Sequence, residues 1–482
     1  MANAKVLLAT ALTGAFTVGL AGLSSVAHSD TLQDIYELAL KNDPQLKAAE
    51  ATYRAGLESK NIAFSSLLPQ LSASAFYEDS ESTTESVNFD DTTTPPSFSP
   101  NTSESEKETD GYSITLQQAL IDFSAYFNFR AGEKLSEKAL ADFATEQQAL
   151  ITRVTTAYFN VLRAQENLKA TLAEERATKR QLEQTKQRFD VGLIAITEVH
   201  ESQAAYDSTV ANRLGIEGEL YTATEAISQI TNHNHGALWQ LSPEFSAAPP
   251  IPNKRQEWVN FALKNSPAIR SAILNSDAAY ATAKSKKAGH LPTLGASYVY
   301  SDSSVDGTVK GGGFDPDAES DSKVFTLSLS VPLYSGGGVS AQRRQAYEQH
   351  QAANFNRELV QRRVIQNTKA SFIAVMTDMQ RLKARQQAIV STRSALEATQ
   401  AGYNVGTRNI VDVLQAQRNL YAAIRDEANA RFDYIINMFN LKQEAGTLSP
   451  ADISQLDSFL VKPEAPKASD RMGYDASFEL DS

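Results

Sequence analysis

RFDVGLIAITEV at residues 188–199 returns, altered but in step, as YNVGTRNIVDVL at 403–414. Each contains aromatic-x-Val-Gly, and each places an acidic residue six positions after the glycine: Glu198 after Gly192, Asp412 after Gly406. Val191/Val405, Val199/Val413 and Gln203/Gln417 share the same 214-residue spacing. Further upstream, ALKNDP (39–44) returns as ALKNSP (262–267) and LLPQL (67–71) as HLPTL (290–294), both 223 positions later. A constant spacing over blocks this long marks a tandem duplication of a unit of about 215 residues, with a loop nine residues longer in the first copy. The expected organisation is a first repeat at 30–245, a second at 246–461 and a disordered polar tail at 462–482.

Residues 1–29 read differently. Lys5 is their only charge, the stretch 6–27 is apolar, and Ala27-His28-Ser29 offers small side chains for a cut before Asp30. That is a secretory leader rather than an anchor. Beyond it no run of roughly 18 apolar residues occurs, so an exported chain that enters a membrane must do so as strands. The chain of 482 residues has no Cys and a net charge of −12. These exclude disulfides, thiolate metal sites and a cysteine nucleophile, and they argue against a nucleic-acid partner.

Each repeat has two textures. Segments 130–190, 197–230, 343–404 and 409–443 lack Pro and are rich in Ala, Gln, Glu, Leu and Arg. Val154, Val161 and Leu168 fall seven apart, with Ile151, Tyr158 and Leu172 beside them, the period at which helices supercoil. About 60 residues at 1.5 Å each give rods roughly 90 Å long. By contrast, KVFTLSLSVPL (323–333) and LGASYVYS (294–301) alternate apolar with small polar residues, as LSASAFY (71–77) and YSITLQQAL (112–120) do more weakly. Four strands of about ten residues with one apolar face fit a transmembrane β-barrel with a wet interior. Tyr77, Tyr112, Tyr300, Phe325 and Tyr334 suit an interfacial girdle. Pro69 and Pro292 stop the helices that precede the strands. Segments 78–111 and 302–322 carry no apolar pattern and read as external loops.

Four strands cannot close a barrel, and open edges in lipid are forbidden, so several chains must share one sheet. Two, three or four subunits satisfy the arithmetic.

The duplicated strand–helix unit, LLPQL and HLPTL, TAYFNVL (156–162) and the two Val-Gly turns resemble the TolC family of outer-membrane efflux and secretion channels. The resemblance implies a homotrimer in which twelve strands form one outer-membrane barrel, continuous with a periplasmic tunnel of twelve long helices that tapers to a tip gate. It implies docking with a periplasmic adaptor and an inner-membrane transporter of RND, ABC or MFS type. The exit duct so formed would pass drugs, small toxic compounds and unfolded proteins. On this reading Val191, Gly192 and Leu193 with Val405, Gly406 and Thr407 are hairpin tips for adaptor docking. Tyr403 would hydrogen-bond Glu198, and Arg408 would meet Thr197 of its own chain and Glu198 of the neighbour, latching the gate. Position 198 is Glu where the family pattern has Asp, one methylene longer. Of two aspartates usual at the constriction, only Asp412 remains; the other position is Gln415.

Other motifs carry no chemistry. His233 and His235 lack a third placed ligand, and Gly311–Gly313 and Gly336–Gly338 lack the Lys-Ser/Thr of a phosphate loop. No catalytic constellation, metal or cofactor is expected. The alternative to a channel is a non-conducting coiled-coil scaffold or adhesin.

Overall fold

The computed structural model describes residues 30–90, 92, 94–310 and 317–463. The leader at 1–29, Gly311–Gly313 and the tail from 464 lie outside the described residues. In the first repeat, α1 (Leu32–Asn42) and α2 (Pro44–Ser65) lead into strands β1 (Gln70–Asp90) and β2 (Ser97–Ile121). Helices α3 (Phe123–Asp190) and α4 (Ile196–Thr231) then form a hairpin. After β3 (Gln240–Leu241), the second repeat follows the same order. It contains α5 (Arg255–Asn265), α6 (Pro267–Ala288), β4 (Thr293–Lys310), β5 (Ala318–Ser330), α7 (Gly338–Asn404) and α8 (Ile410–Glu444). Helix α9 (Pro450–Asp457) and β6 (Leu460–Val461) complete the described chain.

Local chemistry sets the boundaries. Asp122 caps α3 by accepting the Ala125 N–H at 2.9 Å, and Asn409 caps α8 by accepting the Asp412 N–H at 2.8 Å. Prolines 44 and 267 occupy first helical turns, where a missing N–H costs nothing. Both long hairpins turn at the two glycines. Gly192 has φ +73° and Gly406 φ +81°, left-handed values that favour residues without a Cβ. At the first tip Gly192 N–H bonds the Phe189 carbonyl and Leu193 N–H bonds that of Arg188, closing the helix with a Schellman pair. With 68 residues, α3 is about 100 Å long. No helix among the described residues is long and apolar enough to cross a membrane.

The strands form one antiparallel sheet in the order β1-β2-β4-β5. Register brings Ala75, Tyr112, Asp302 and Asp321 to one level, and Leu71, Leu116, Tyr298 and Phe325 to another. One face therefore collects most of the apolar and aromatic side chains, with Asp302 and Asp321 at its polar end. Ser72, Ser74, Ser113, Ser297 and Thr326 fall on the other together with Phe76, Val299 and Val324. The strands run to 21, 25, 18 and 13 residues rather than about ten, and most of 78–111 and 302–322 is paired strand instead of loop. Main-chain pairing needs no apolar pattern, so a hairpin continues into water once both faces turn polar. Asp79 opposite Glu108 and Glu81 opposite Glu106 are like-charge pairs, tolerable only where solvent screens them.

Helices form a curved layer below the sheet. Near the strands α3 packs on α2 and α6, and α6 on α7; towards the tips α3 packs on α4 and α8, and α8 on α7. The largest core lies midway. There α1, α9 and the β3–β6 pair cover Leu150, Val154, Tyr158 and Val161 of α3 and Phe432, Ile435 and Phe439 of α8. The Tyr158 hydroxyl donates to the Trp239 carbonyl at 2.6 Å, so the buried phenol carries no unpaired polar group.

Candidate functional site at the hairpin tips

The tip of the second hairpin is a small core of its own. Tyr403, Ile410, Val413 and Leu414 are buried together, with Ala205 of α4 and Leu396 packed beside them. Tyr403 is held there by two contacts and by burial. Its hydroxyl donates to Glu198 Oε2 at 3.0 Å, the Arg188 guanidinium lies 5.0 Å from its ring centroid, and its ring is 7% exposed. The longer glutamate still reaches the Tyr403 hydroxyl. Burial raises the phenol pKa, and the Glu198 carboxylate adds to that rise, while Arg188 acts against it. The phenol therefore stays protonated, and donating, at neutral pH.

Arg408 lies elsewhere. Its Nη1 is 3.6 Å from Asp412 Oδ2, one turn along, and no hydrogen bond joins it to Thr197 within the chain. Both side chains are well exposed, at 62% and 39%, so this pair is weak and screened. Gln415 donates to Asn419 Oδ1 at 2.8 Å and presents no charge. At the very ends Val191, Leu193 and Val405 are 70%, 70% and 75% exposed, an apolar surface on each turn. Thr407 bonds back to the Gly402 carbonyl at 3.1 Å.

Three participants escaped the sequence reading. Arg188 stacks on Tyr403, Asn409 caps the helix that carries Asp412, and Gly402 makes room: a Cβ there would sit 2.8 Å from Arg408 Cγ. Gly402 lies four residues before Gly406, and that spacing was the available clue. Between α3 and α7 at this end lies a cavity of about 460 Å³, lined by Gln181, Gln184, Gln187, Gln400 and Tyr403.

A four-stranded sheet with two open edges stands on a duplicated helical hairpin whose longer arm, α3 or α7, is about 100 Å long. The sequence profile of the family described as Outer membrane efflux protein matches residues 35–233 and 258–447, and the chain belongs to that family. The "Outer membrane protein TolC" of Vibrio cholerae is 36% identical over 448 residues, covering 92% of this chain and 97% of that protein. The "Alkaline protease secretion protein AprF" of Pseudomonas aeruginosa is 27% identical, covering 90% and 88%. Among solved structures, the outer membrane protein VceC of Vibrio cholerae superposes with a TM-score of 0.70 at 18% identity, over 86% of this chain and 96% of that one.

Proposed function

We propose that three copies of this chain close into one twelve-stranded outer-membrane barrel on a periplasmic helical tube, and that the assembly is the exit duct of tripartite efflux and secretion systems. The observation that carries the reading is the pair of open edges. β1 and β5 each have a neighbour on one side only, which a bilayer does not tolerate. The helical layer is open in the same sense. Ile62 on α2 and Leu214 and Tyr221 on α4, helices at one edge of the layer, are exposed, as are Tyr347, Phe355, Leu359 and Ile373 on α7 at the other edge. Two different edges meeting head to tail generate a ring. Three protomers supply twelve strands, within the range of outer-membrane barrels. The relatives named for the outer membrane and for protease secretion support the same use.

At the tips, Tyr403, Glu198 and Arg408 with Thr197 act as the gate latch. Asp412 supplies the constriction charge, and the exposed Val191-Gly192-Leu193 and Val405-Gly406-Thr407 turns receive a periplasmic adaptor that couples to an inner-membrane transporter. Planar-bilayer recording tests the reading. A duct gives discrete conductance steps, whereas a scaffold or adhesin inserts none, and that result would replace this proposal.

A further inference from the structure

We infer that a cavity where α6 meets α8 is a binding site for anionic amphiphiles, compounds that join an apolar body to a carboxylate, sulfonate or phosphate. The cavity has about 560 Å³ and lies between α3, α6, α7 and the end of α8. Its floor is apolar, from Ala268, Ala272, Ala353, Val360 and Val364. Its polar rim is unbalanced. Asp142 is already engaged by Lys138 at 2.6 Å and by the Ser271 hydroxyl, and Glu444 accepts from Asn367 at 3.3 Å. Arg357 and Arg363, in contrast, bond to no side chain among the described residues, and neither do Asn275 and Asn356. Both rim carboxylates are thus engaged, while two guanidinium groups, which can only donate, and two amides are free, which suits an anion. Burial also raises the Glu444 pKa, weakening one of the two rim carboxylates that would oppose such a ligand.

The other repeat provides a built-in contrast. At the corresponding junction of α2 and α4 a cavity of about 660 Å³ contains Arg153, but its guanidinium is held by Asp43 and by Glu146. The cation there is neutralised. Of these two cavities, the one in the second repeat offers guanidinium groups without a side-chain partner over an apolar floor. On α6 the cavity stripe of Ala268, Ala272 and Asn275 is distinct from Ile269 and Ile273, which pack with Ala262 of α5 and Val364. The cavity's use as a resting place for cargo inside the bore rests on the duct reading above; the binding chemistry does not.

Because the chain has no Cys, a single introduced thiol reports on the cavity alone. In the full chain carrying Ala272→Cys, the anionic 2-sulfonatoethyl methanethiosulfonate should react about tenfold faster than the cationic trimethylammonium reagent, as a local positive potential demands. Arg357→Gln with Arg363→Gln should remove that preference, and the two Lys replacements should keep most of it. Naphthalene-1-sulfonate should protect the thiol, and the uncharged naphthalene-1-sulfonamide should not. Ala226→Cys, in the first-repeat cavity, should show no anion preference. Equal rates for both reagents at Ala272→Cys, a preference that survives loss of both arginines, or equal protection by the sulfonamide would each overturn the assignment. Conductance of the same variant is read separately, so failure of the duct and failure of the cavity are distinct results.

Discussion

Tyr403 is tied to the first hairpin by weak contacts, which suits the latch proposed for it. Its hydroxyl, its ring face and its burial are each satisfied by a different neighbour, and each contact is worth only about 1 kcal/mol. Tyr403→Phe with Arg408→Glu removes the hydroxyl and sets a negative charge beside Asp412, so the tips should splay and single-channel conductance rise severalfold, with the fold intact by circular dichroism. Alkali should act in the same direction. A raised phenol pKa means the protonated link is fully present below the ordinary value near 10 and is lost as pH rises through the higher folded value. Conductance that stays flat above pH 10 in the parent protein would count against the phenol. Asp412 makes a different prediction. With Gln415 neutral, cation preference should rest on Asp412, so Asp412→Asn should abolish most of it and Gln415→Asp should strengthen it. Reversal potentials in a salt gradient decide between this ring and any other acidic face.

At the scale of elements, α3 changes character along its length. Leu150, Val154, Val161 and Leu168 make an apolar seam, but below them the buried positions are Thr171, Glu174, Thr178, Gln181 and Thr185, still at three- and four-residue spacing. Thr178 and Thr185 bond back to carbonyls one turn earlier, Thr185 also accepts from Ser202 of α4, and Glu174 meets Arg425 of α8 at 2.7 Å. This half of the coil is held by a few polar links rather than by excluded water. Arg425→Met should strand the Glu174 carboxylate, 5% exposed, and cost about 3 kcal/mol, while Glu174→Leu with Arg425→Leu should recover most of it. A double-mutant cycle on thermal midpoints measures the difference. The upper seam was legible from heptads of Val and Leu, and the tips from two glycines. The lower seam was not, because threonine and glutamine at core positions look the same as solvated ones until a partner helix is placed. The extended strands were missed for a related reason: beyond the membrane both faces are polar, so alternation vanishes although pairing continues. Within the chain Arg408 lies beside Asp412 rather than Thr197, a choice between a carboxylate and a hydroxyl that spacing alone does not make.

For the whole molecule the testable quantity is the number of chains. Native mass spectrometry in detergent should show a trimer, and replacing Leu327 by Pro on the edge strand β5 should lower its yield by removing a ladder N–H and an apolar contact. A stable monomer or dimer as the sole species would defeat the arrangement. The sheet has one more consequence. At about 3.3 Å per residue and a tilt near 45°, the 21 residues of β1 rise roughly 50 Å, well above a hydrocarbon layer of about 30 Å. β5, with 13 residues, rises much less. In the proposed trimer, three tall hairpins alternating with three short ones would make a notched chimney, open sideways above the lipid. An amphiphile leaving it emerges far from the bilayer surface, and dilution then competes with re-entry. Height turns export into a step that is hard to undo, without any moving part.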